Sequence, residues 1–73
     1  MAISYKNLWK LLIDRDMKKK DLQKLADISA ASITKLGKNE NVNTEIIAKI
    51  CTALKCDVSD IMEVIRDTDE IAE

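Results

Sequence analysis

The chain has no histidine, no proline and no phenylalanine, and its only glycine is Gly37. These absences each exclude something. Without histidine there is no side chain whose ordinary pKa suits acid–base work at neutral pH. No glycine-rich loop can cradle a phosphate, and no nucleophile stands beside a base, so the sequence does not read as an enzyme. Asp14, Asp16 and Asp21 lack the spacing and the glycine of a calcium loop. Two cysteines, Cys51 and Cys56, make a poor zinc site without histidine. The sequence around them reads as helical, and a separation of five residues points them to different sides of a helix, so no disulfide between them is expected. Thiols at apolar positions fit a reducing, cytoplasmic setting. No cofactor or small-molecule ligand is indicated.

Aromatic residues are also scarce. Tyr5 and Trp9 are the only two, which leaves little surface for stacking unpaired bases. Charges interrupt the short apolar runs, as on both sides of Leu11–Leu12–Ile13. Neither a signal peptide nor a membrane span is therefore expected.

What is present suits a small helical domain. The 73 residues are 47% hydrophobic, enough for one core of marginal stability. The net charge of −1 hides a division. Residues 1–39 carry nine Lys or Arg against four Asp, and residues 40–73 carry three against nine Asp or Glu. A solvated helical surface explains this most simply. A basic face for a polyanion explains it too.

The apolar spacing is helical nearly throughout. Ile3 or Tyr5 leads into a first helix through Leu8, Leu11 and Leu12, with Met17 turned inward after it. A second runs from about Lys18 to Ala26, with Leu22, Leu25 and Ala26 on one side. Asp27–Ile28 forms a corner. Ser29 caps a third helix, Ala30–Leu36, with Ile33 and Leu36 facing in. Gly37 follows, where a helix end favours a left-handed residue without a Cβ. After the polar loop "KNENVN", Asn43 or Thr44 starts a fourth helix bearing Ile46, Ile47, Ile50, Cys51 and Leu54. Asp60 to about Arg66 reads as a fifth. The expected fold is all-α, a compact five-helix bundle, with residues 1–66 as the domain and 67–73 as an acidic tail.

Two short helices joined by a tight corner form a helix-turn-helix, which holds its second helix proud of the body. The lysines Lys18, Lys19 and Lys20 crowd the start of the first of these helices, where the helix dipole already favours anions. A phosphate would relieve that crowding. Lys35 can pair with guanine O6 and N7, worth roughly 1–3 kcal/mol of discrimination. Ser32 and Thr34 can bond base or phosphate. Ala30 and Ala31 offer only methyl groups.

The stretch "DMKKKDLQKLADISAASITKLGKNENVNTEIIAKICTALKCDVSDIM" resembles the Cro/phage-repressor, or XRE, family of helix-turn-helix regulators. The likeness rests on "DLQKLADIS", "SITKL", the Asn-rich loop and the "IIAKICTALKCDVSDIM" block, and covers about residues 5–65. It implies a lambda-repressor-like domain that binds duplex DNA sequence-specifically as a homodimer, its third helix in the major groove. Repression is the expected mode. Carried over by position, Ala30, Ala31, Ser32, Thr34 and Lys35 fall at or beside base edges. Lys19 falls on a phosphate-contacting position. Ser29, Lys38, Asn39 and Asn41 are placed to follow the backbone, beside Lys18 and Lys20. The chain departs from the family at Asp27, where glycine is usual, at Gln23, where a small residue is usual, and at Lys18, where Ser or Thr usually caps. An alternative on the same fold is a protein-interaction module of antirepressor or antitoxin type.

Overall fold

The computed structural model describes residues 2–66. Helix α1, Lys6–Asp14, buries Leu8 and Leu12 on one face. Asp16, at φ 54°, turns the chain back, and half-buried Met17 packs against the core. Helix α2, Lys19–Ala26, buries Leu22 and Ala26. Helix α3, Ala30–Gly37, buries Leu36, with Ile33 packed beside the core. Helix α4, Thr44–Leu54, buries Ile47, Ile50 and Leu54. These side chains close over Tyr5, Ile28 and Ile61, which are also buried.

The helix ends are closed by side chains and by left-handed backbone. Asn43 Oδ1 accepts from the Ile46 N–H at 2.9 Å and caps α4. Past its other end, Lys55 turns left-handed at φ 54°, and the Cys56 N–H returns to the Cys51 carbonyl at 3.0 Å. The Arg15 guanidinium donates to the Leu54 carbonyl, joining α1 to this helix end. Asn39 Oδ1 accepts from the Tyr5 N–H at 3.0 Å, tying the loop after α3 to the start of α1.

The expected fifth helix is absent. A 3-10 turn, Val58–Asp60, leads to strand β2, Glu63–Ile65. This strand pairs antiparallel with β1, Ala2–Ser4, with Ile3 opposite Val64. Among the described residues the fold is thus four α-helices with a small two-stranded sheet, mostly helical rather than all-α. Ile61, Met62, Val64 and Ile65 suit one helix face, but so short an apolar run does not separate helix from strand. The β-branched Val64 and Ile65 find a partner strand in Ile3, which no local pattern announces.

Three smaller expectations also change. Leu25 is 57% exposed rather than inward, because Leu22 and Ala26 already fill the α2 seam. Gly37 is the last residue of α3 and has no positive φ; the left-handed residue is Asn39, at φ 57°. Cys56 lies beyond α4, not within it, and both thiols are half-buried. Both cysteines are free thiols. Burial raises each pKa above the usual thiol range.

Candidate nucleic-acid interface

The corner between α2 and α3 is Asp27–Ile28–Ser29. Asp27 takes the left-handed conformation at φ 56°, ψ 53°, and its N–H bonds back to Lys24 O at 3.3 Å. A short polar side chain tolerates this conformation better than most. Lys49, on α4, donates to the Asp27 carbonyl at 3.4 Å. Buried Ile28 pins the corner from below. Gln23, on α2, is half-buried, and its backbone carbonyl accepts from the Ile28 N–H at 3.2 Å. Asp27 replaces the usual glycine without loss of the corner.

On α3, Ala30, Ala31, Thr34 and Lys35 are exposed along the outer face, with Ser32 half-buried. Their hydroxyls are partly committed. Ser29 Oγ accepts from the Ser32 N–H at 3.1 Å and lies 3.1 Å from Ser32 Oγ. Thr34 Oγ1 donates to the Ala30 carbonyl at 3.1 Å. Ser29 is thus an N-cap, and Thr34 keeps only acceptor capacity and its methyl group. Lys35 carries the one cation on this face.

Lys18, Lys19, Lys20, Lys38, Asn39 and Asn41 are all exposed, but they are not equivalent. The Asp21 carboxylate accepts from the Lys18 N–H at 2.9 Å. It places one negative charge within the lysine-rich turn and answers part of the crowding there. Asn39 spends its carbonyl oxygen on Tyr5, so its NH₂ is what it can still offer. Asn41 lines an open apolar groove of about 510 Å³ with Ile3, Val42, Ile47, Val58 and Met62.

One arrangement escapes any reading by spacing. The Lys19 ammonium lies 4.6 Å from the centre of the Trp9 ring. A Cβ placed on Gly37 would sit 3.5 Å from the same nitrogen. Three helices therefore meet at one cation. Trp9 and Lys19 stand ten positions apart, with a turn between them, so only folding brings them together.

With this geometry the comparisons with known proteins agree. The family model of the Cro/C1-type HTH DNA-binding domain matches residues 7–67. The chain belongs to this Cro/C1-type family. The crystal structure of the transcriptional regulator VanUg, form II, is similar: 48% identical, with a TM-score of 0.86, over 90% of this chain and 88% of that one. No curated protein sequence matches. Among the described residues, no helix is long and apolar enough to cross a membrane.

Proposed function

We propose that the chain is a sequence-specific regulator of transcription, a repressor that binds duplex DNA as a homodimer. The observation that carries this reading is the α2–α3 corner, whose left-handed Asp27 holds α3 outward with Lys35 on its exposed face. Helix α3 enters the major groove, roughly 12 Å wide. Lys35 reads guanine; Ala30 and Ala31 meet thymine methyl groups or allow close approach. Ser32 and Thr34 supplement them. Lys18, Lys19, Lys20, Lys38, Asn39, Asn41 and Ser29 follow the phosphates. Residues 1–66 form the DNA-binding domain and 67–73 an acidic tail.

Two such domains present their reading helices about 34 Å apart, one helical turn of DNA. Val64 and Ile65 of β2, 52% and 39% exposed, are candidate dimer contacts. Ile71, a further candidate, lies outside the described residues. Occupying a site that overlaps a promoter is sufficient for repression.

Selection of bound duplexes from a random pool, at stated salt, tests this reading. The expected result is a near-palindromic site whose affinity falls steeply with salt. Lys35→Ala should relax preference at one base pair in each half-site, by roughly 1–3 kcal/mol, and leave the salt dependence nearly unchanged. Recovery of no preferred duplex would favour the protein-interaction alternative. The apolar groove beside β1 and α4 is the feature that supports that alternative.

A further inference from the structure

Lysine is a flexible point charge, and ordering its long side chain costs rotamer entropy. A lysine that contacts phosphate gains from being held in advance, provided that whatever holds it does not neutralise it. A carboxylate partner would neutralise it. An aromatic face would not, because it attracts the cation through its quadrupole and leaves the net charge in place.

Lys19 meets this condition. Its ammonium lies over the Trp9 ring, 4.6 Å from the centroid, and no carboxylate pairs with it among the described residues. Trp9 is half-buried on α1 and packed against the core, so the ring is itself fixed. The ammonium also lies beside the last turn of α3, 3.5 Å from where a Cβ on Gly37 would stand, an ordinary contact distance.

We propose that Trp9 is a positioning residue for DNA binding. Its indole holds the Lys19 charge ready for a backbone phosphate at the start of α2. The inference rests on the DNA-binding reading. It assigns a role to a residue that neither faces the groove nor carries charge.

The test is a salt titration of duplex binding by the full chain, with Trp9→Leu, Trp9→Phe, Lys19→Ala and the Trp9→Leu/Lys19→Ala pair. Lys19→Ala should flatten the log–log slope by about 0.9, one phosphate contact. Trp9→Leu should weaken binding roughly two- to fivefold, the worth of an exposed cation–π contact. Trp9→Phe should restore part of this loss. The double variant should bind no more weakly than Lys19→Ala alone, since the two act through one contact. In the free protein, the Lys19 methylene protons should show an upfield ring-current shift that Trp9→Leu removes. If Trp9→Leu and Lys19→Ala losses simply add, or if the ring-current shift is absent, Trp9 is only a packing residue and the proposal is overturned. If the parent chain binds no duplex while the ring-current shift is present, the DNA-binding reading has failed, and the positioning role falls with it.

Discussion

Helices α3 and α4 begin alike and end in different work. Each is capped by a polar side chain that accepts from the third residue on, Ser29 from Ser32 at 3.1 Å and Asn43 from Ile46 at 2.9 Å. Each is preceded or followed by a left-handed corner without glycine, Asp27 before α3 and Lys55 after α4. Yet α4 buries three residues and α3 only Leu36. Helix α4 is the scaffold. Helix α3 is carried by it, through the corner and the bond from Lys49 to Asp27. A helix that must enter a groove has to leave most of its surface free, so its stability comes from its neighbours.

The largest effect expected from that contrast is at the scaffold. Ile50→Ala removes a fully buried side chain and should cost about 2–5 kcal/mol. Urea denaturation followed by circular dichroism would measure it. Ala31→Ser, on the free face of α3, should stay within about 0.5 kcal/mol in the same assay. Equal losses at both positions would erase the distinction.

The two corners give the next test. Asp27→Val and Lys55→Val each place a β-branched residue at positive φ, at a cost of about 1–2 kcal/mol or more. Thermal melts should fall similarly for both. Only Asp27→Val should also weaken DNA binding beyond what its stability loss explains, as read in a gel shift at a temperature where both variants are folded.

Removing the caps should be milder. Ser29→Ala and Asn43→Ala should each cost about 1 kcal/mol. A larger loss for Asn43→Ala would mean that α4 depends on its cap more than its buried face implies.

Gly37→Ala is expected to act in the opposite direction. Gly37 has no positive φ, and a Cβ there meets Lys19 Nζ at ordinary contact distance, 3.5 Å. The substitution should stabilise the fold by about 0.5–1 kcal/mol through helix propensity. Any destabilisation would show that Gly37 is needed for its backbone after all.

The smallest expected effect concerns the thiols. Burial raises both pKa values, so Cys51 and Cys56 stay protonated at neutral pH. Alkylation at pH 8 should be slower in the folded chain than in urea. The sign of the linkage follows: the raised thiol pKa values make the fold lose stability only as pH rises through the alkaline range where the unfolded thiols ionise. A folded chain that alkylates as fast as the unfolded one would place the thiols in solvent.

Much of this could be read from the residues. The helix-turn-helix showed in the spacing of Leu22, Ala26, Ile33 and Leu36, with Ser29 at the cap. The "IIAKIC" stripe of α4 was equally legible, because period and capping are local properties. What was not legible depends on residues far apart in sequence. Val64 and Ile65 look helical until Ile3 is placed beside them. Leu25 looks buried until Leu22 and Ala26 have filled the seam. Gly37 looks like a helix cap until Asn39 takes the left-handed turn.

The sequence by itself determined the first four of the five helices it suggests, the N-caps of α3 and α4, the corner before α3 and the division of charge, since each follows from neighbours within a few residues. Tertiary structure decided the rest. It made the last apolar run a strand by offering a partner for its backbone N–H and C=O groups. It also set Lys19 over Trp9 at the end of α3, a meeting of three helices that no local pattern encodes.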